Sequence, residues 1–163
     1  MSVTDELVRN AERYAETFDQ DGLPAPPAKR VAVLTCMDAR VNPYGILGLR
    51  EGDAHVIRNA GGVVTADAIR SLAISQRLLG TEEIVLIHHA GCGMLGFEDD
   101  EFRRQIEHDT GIKPDWAAEA FDDLEQDVRQ SMARIENSPF LPKKDRVRGF
   151  VYDVETGRLS AVS

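Results

Sequence analysis

Short unbroken apolar runs alternate along the chain with stretches where apolar residues return every three or four positions. Unbroken runs of this length suit strands buried on both faces. Arg30-Val31-Ala32-Val33-Leu34-Thr35 is the first, Ala54-His55-Val56-Ile57 the second and Glu83-Ile84-Val85-Leu86-Ile87-His88 the third. Gly149-Phe150-Val151-Tyr152-Asp153-Val154 is the last, and it turns through Glu155-Thr156-Gly157-Arg158 into a short partner. Helical spacing links Leu7, Ala11, Tyr14, Ala15 and Phe18. It also links Ile69, Leu72, Ala73, Gln76 and Leu79 in a helix that starts from Thr65, with Gly80 as its stop. Further helical segments follow, including Ala117 to Glu136. Strands alternating with helices predict a single α/β domain: a mainly parallel central sheet of about four strands, an antiparallel edge strand, and helices on the faces.

One segment stands apart from this pattern. Asp19 to Lys29 carries three prolines and a glycine, and it separates the first helix from everything after it. Residues 1–29 therefore read as a helix and linker, and residues 30–163 as the main domain. A helix this short is not stable alone, so its apolar stripe must lie on its own core or on another subunit.

The chain has 163 residues and a formal net charge of −9, enough length for one real core. Excess acid argues against nucleic acid and anionic membranes as partners. No apolar run approaches a membrane span, and the N-terminus lacks a signal-peptide plan, so a cytoplasmic protein is expected. The excess is local. Glu98 to Asp127 holds 12 acids against 3 bases, and the remainder is balanced. A solvated surface or a lid accounts for this stretch better than a substrate does. Two cysteines, Cys36 and Cys92, are too few for a disulfide framework.

Ligands of open parallel sheets bind beyond the carboxyl ends of the strands. The unusual residues of this chain lie at those exits: Cys36-Met37-Asp38-Ala39-Arg40, Arg58-Asn59-Ala60-Gly61-Gly62, and His88-His89-Ala90-Gly91-Cys92-Gly93. Two thiolates and an imidazole make a catalytic zinc set with one open position. Cys36, His89 and Cys92 supply it. Spacing alone leaves open a second reading, two half-buried thiols beside a hydrogen-bonded histidine. His88 is the alternative imidazole. Because strand side chains alternate, only one of the pair is expected to face Cys36, and His-x-x-Cys favours His89. His55 and His108 lack ligand-like company, though His55 remains a candidate proton relay. Asp38 and Arg40 form either a surface ion pair worth ~0–1 kcal/mol or a carboxylate aimed at the metal by a guanidinium fork. Gly61 and Gly62, with Ala60, form either a plain turn or a close backbone approach that shapes a substrate pocket. Their spacing is not that of a dinucleotide fingerprint.

Together, Cys36-Met37-Asp38-Ala39-Arg40, Arg58-Asn59-Ala60-Gly61 and His89-x-x-Cys92-Gly93-Met94 resemble the three signatures of the β-class carbonic anhydrases. The order and intervals fit, and Gly149 to Leu159 resembles the last strands of the short, compact branch of that family. Two departures stand out: Ala39 where the family commonly has serine, and Ala90-Gly91 where it commonly has Thr-Asp.

The resemblance implies a Zn2+ enzyme that reversibly hydrates carbon dioxide to bicarbonate through a zinc-bound hydroxide. Asp38 would orient that hydroxide, with Arg40 orienting Asp38. In the three-histidine carbonic anhydrases zinc lowers the pKa of bound water from ~15.7 to ~7, and two thiolates would weaken the effect. Similar proteins hydrolyse carbonyl sulfide or carbon disulfide, so either activity is the alternative. A non-catalytic zinc-binding interaction domain is a third reading. The resemblance also implies a homodimer or dimer of dimers, with the N-terminal helix reaching across the partner. In some family members the aspartate leaves its arginine and closes the metal site, a state open to Asp38.

Overall fold

The computed structural model of the protein describes residues 2–163. Five strands form one sheet: β1 (Val31–Cys36), β2 (Ala54–Asn59), β3 (Glu83–His89), β4 (Val147–Tyr152) and β5 (Leu159–Val162). Their order is β2-β1-β3-β4-β5. The first four are parallel, and β5 pairs antiparallel with β4 as the edge strand. This is the predicted α/β architecture. The strand bounds shift slightly for local reasons. Arg30 has φ 53 and so cannot begin β1, whereas β2 runs two residues past Ile57 and pairs Cys36 with Asn59.

The helices are α1 (Val3–Glu16), α2 (Pro43–Leu47), α3 (Ala66–Arg77), α4 (Asp99–Thr110) and α5 (Leu124–Glu136). Thr65 caps α3, its hydroxyl accepting from the Ala68 amide at 3.2 Å. The main core joins Ala32, Leu34, Ile84 and Leu86 of the sheet to Ala68 and Leu72 of α3 and Ile135 of α5. A second cluster of Cys36, Val63, Cys92, Met94 and Phe121 sits beyond the strand ends.

Three features differ from the sequence reading. The five-residue α2 follows Asn42, whose side chain accepts from the Gly45 amide, and it lacks the length for a periodic signal. The last long helix begins at Leu124, not Ala117, because Asp123 caps it and Glu119 adopts φ 63, a left-handed conformation that breaks a helix. Instead, the Phe121 amide donates to the Met94 carbonyl at 3.2 Å, which turns the segment inward. The acidic stretch is thus α4, an irregular connection and the first turn of α5. The Asp99 carboxylate holds that connection through the amides of Glu119 and Ala120.

Helix α1 buries none of its residues. Val3, Leu7, Tyr14 and Phe18 lie along one side and are exposed. Among the described residues no helix is long and apolar enough to cross a membrane.

Gly62 marks where the chain packs most closely behind the strand exits. It has φ +71, and a Cβ there would lie 2.9 Å from the Cys36 nitrogen and 3.0 Å from the Thr35 carbonyl carbon. Both contacts are backbone and cannot yield cheaply. Gly62→Ala is therefore expected to destabilise the fold by about 2–4 kcal/mol, read as a lower urea midpoint at unchanged slope.

Candidate metal centre

Strands β1 and β3 end side by side, and the turns after them carry the three donors together. Cys36 is the last residue of β1, His89 the last of β3, and Cys92 follows three residues on. One donor atom from each lies within 4.8 Å of the others, and all three residues are buried. Gly91 has φ +64, the left-handed turn that brings Cys92 back toward the strand end.

His89 is set for a metal by its own backbone. Its Nδ1 lies 3.0 Å from the Ala90 carbonyl, which can only accept, so Nδ1 carries the proton and Nε2 presents a lone pair. That Nε2 is buried with no hydrogen-bond partner among the described residues. An orphaned acceptor of this kind is costly unless an ion takes it. The two sulfurs lie 3.9 Å apart. Tetrahedral zinc with bonds of ~2.3 Å spaces two sulfurs by roughly 3.8 Å. The donor set and its spacing fit zinc. The hydrogen bond between the two thiols lowers the Cys36 pKa, and the same bond and burial raise that of Cys92.

Asp38 stands beside this trio, its Oδ2 3.6 Å from His89 Nε2, too long for a hydrogen bond. Arg40 grips the carboxylate three times: Nε to Oδ1 at 2.9 Å, Nη2 to Oδ2 at 2.7 Å, and its own amide to Oδ1 at 2.9 Å. These bonds hold the carboxyl well below the usual carboxylate range. The guanidinium is itself fixed by the Gly91 carbonyl at 3.0 Å. This is the bidentate fork of the sequence reading, with Asp38 held on Arg40 beside the donors.

The other histidines lie elsewhere. His88 is fully buried on the opposite side, its Nε2 2.6 Å from Asp127 of α5. His55 Nδ1 meets the Ser75 hydroxyl at 2.7 Å, four residues before the end of β2 and so roughly 13 Å from it. His108 is exposed on α4 beside Asp109.

Ala60 lines a cavity of about 700 Å³ together with Met37, Met94, Phe97, Phe102 and Trp116. Gly61 and Gly62 are buried and lie behind this wall. A Cβ on Gly61 would press within 3.2 Å of Val63, Met94 and Phe121. The acidic stretch supplies Phe102 and Trp116 to the cavity wall, with Phe102 in tilted ring contact with both Phe97 and Trp116. The sequence reading placed Arg58 at a strand exit and in the second signature without giving it a role; its guanidinium reaches the backbone of the Cys36–Asp38 turn.

The chain matches the family model described as carbonic anhydrase over residues 31–159. It is 56% identical to "Beta-carbonic anhydrase 1" of Mycobacterium tuberculosis, across 100% of this chain and 99% of that protein. It is 39% identical to a carbon disulfide hydrolase of an Acidianus strain, across 82% of this chain and 78% of that one. Among solved structures, a carbonic anhydrase of Streptococcus mutans superposes with a TM-score of 0.93 at 43% identity, covering 100% and 99% of the two chains. With the fold, the strand-exit cluster and full-length similarity in agreement, the chain belongs to the carbonic anhydrase family, in its β class.

Proposed function

We propose that this chain is a zinc-dependent carbonate dehydratase that interconverts carbon dioxide and bicarbonate. Cys36, His89 and Cys92 would hold the ion, and the observation that carries the reading is the orphaned Nε2 of His89 facing two thiols at zinc spacing. When bound, zinc supplies Lewis acidity and makes water a competent nucleophile near neutral pH. Asp38 has no free donor and is ionised, so its role is to accept a hydrogen bond from the attacking water and fix its direction. Arg40 keeps that carboxylate charged and aimed. Met37, Ala60, Met94 and the aromatics line an apolar cavity at the same strand exits, which suits the approach of a small neutral molecule, and Gly61 packs behind its wall against Met94.

Stopped-flow hydration of carbon dioxide, run beside sulfide release from carbonyl sulfide and carbon disulfide, tests this assignment. Hydration is expected to exceed sulfide release, and the reverse order would reassign the substrate. The identity to the carbonic anhydrase of M. tuberculosis over the full chain favours carbon dioxide.

The same reading divides the chain into an arm, residues 1–29, and a catalytic domain, residues 30–163, with the arm serving a homodimer. Support comes from the unburied apolar side of α1, which touches the body through few contacts, among them the Tyr14 hydroxyl to the Glu51 carboxylate. Light scattering should find a dimer or a dimer of dimers for the wild type. Val3→Glu with Leu7→Glu is expected to halve the mass, and an unchanged mass would remove the arm from the interface.

A further inference from the structure

The turn between Cys36 and Asp38 carries both the sulfur donor and the catalytic carboxylate, yet little packs on it from outside. Met37 at its centre is 66% exposed. Besides the Val41 amide on the Asp38 carbonyl at 3.0 Å, its restraint comes from β2. Arg58 reaches across with Nε to the Cys36 carbonyl at 3.0 Å and Nη2 to the Asp38 carbonyl at 2.7 Å. One planar group therefore spans Met37 and fixes the carbonyls on both sides of it. The Met37 amide donates to the Asn59 carbonyl at 2.8 Å, and Gly62 closes against the Cys36 nitrogen from behind. Among the described residues no carboxylate forms an ion pair with Arg58, so its fork is committed to these two oxygens rather than to a surface salt bridge.

From this geometry we infer that Arg58 is a positioning residue for hydration, setting the spacing between the Cys36 sulfur and the Asp38 carboxylate without touching substrate. The inference rests on the zinc and Asp38 roles proposed above. Its physical basis is the fork. Five donors in a rigid plane can hold two carbonyls two residues apart in one fixed relation, whereas an ammonium at the end of a flexible stem holds one and leaves the Asp38 carbonyl to the Val41 amide alone, at 3.0 Å. Reacting groups displaced by about 1 Å lose up to ~100-fold in rate. Asp38 is tied to Arg40 by its side chain and Arg40 to the Gly91 carbonyl, so losing the clamp would let the Cys36 end of the turn shift against a carboxylate that stays on Arg40. The ion pair would survive while its aim is lost.

The test compares wild type, Arg58→Lys and Arg58→Met as zinc and as cobalt(II) proteins. Arg58→Lys is expected to bind one equivalent of zinc, to lose roughly 10–100-fold in kcat per bound zinc with KM little changed, and to shift the thiolate-to-cobalt absorption bands. Arg58→Met should lose at least as much; if it fails to fold, Arg58→Lys decides alone. A purely structural arginine predicts a lower Tm with kcat per zinc within twofold of wild type and an unmoved cobalt spectrum, and that result overturns the inference. A wild type that neither binds zinc nor hydrates carbon dioxide would instead overturn the site assignment and this inference with it.

Discussion

Exchanging Cys92 for alanine is expected to abolish carbon dioxide hydration and zinc binding together while leaving a folded protein. Three donors make the site, and loss of one leaves a thiolate and an imidazole to hold an ion that prefers four ligands. Changes outside the ligand shell typically cost 10–100-fold in metal affinity, so loss of a ligand should cost more than ~100-fold. The fold should tolerate the change. Cys92 packs with Met94 and Phe121 beyond the strand ends, apart from the main core of Leu34, Leu72 and Leu86. Removing one buried sulfur there should cost about 1 kcal/mol. Zinc content by elemental analysis, stopped-flow hydration and the thermal midpoint should be measured on one preparation. Full zinc and full activity in Cys92→Ala would sink the metal assignment.

How much of this centre was legible beforehand is clearest from the histidine pair. Alternation along the strand allowed only one of the pair and His-x-x-Cys spacing selected His89, but the pleat is not what decides. Continuing the β1–β3 register past Thr35 and Ile87 would set Cys36 opposite His88. His89 joins Cys36 because the donors meet beyond the strand ends, where the Gly91 turn brings Cys92 back. His88 is drawn the other way by Asp127, 39 residues later on α5. Local spacing carries no sign of that partner. The Asp38–Arg40 pair was legible because its members are two residues apart, whereas the Arg58 clamp spans two strands. Likewise, the helix start at Leu124 depends on Phe121 turning in to Met94, a tertiary contact that overrides helical spacing in 117–123. Motifs within one turn could be read from the sequence, whereas contacts between elements needed the fold.

The second large effect belongs to Asp38. Asp38→Asn keeps the shape but replaces a charged acceptor with an amide that presents one oxygen to the Arg40 fork and a donor where Oδ1 or Oδ2 stood. Zinc should stay at one per chain, because Asp38 is not among the three donors and its Oδ2 lies 3.6 Å from His89 Nε2. Hydration should fall by ~10²–10⁴, the range for a positioned proton-handling group. The pH dependence separates this loss from simple protonation. Arg40's hydrogen bonds lower the folded pKa of Asp38 beneath the ordinary value. The pair therefore stabilises the fold above the ordinary carboxylate pKa of about 3.9 and loses that contribution only as pH falls through the lower folded value. Between pH 5 and 8 both the carboxylate and its stabilisation should be constant. Any Tm difference between wild type and Asp38→Asn should accordingly stay flat across that range. A zinc-replete Asp38→Asn with wild-type kcat would show that the carboxylate only anchors Arg40 and takes no part in directing water.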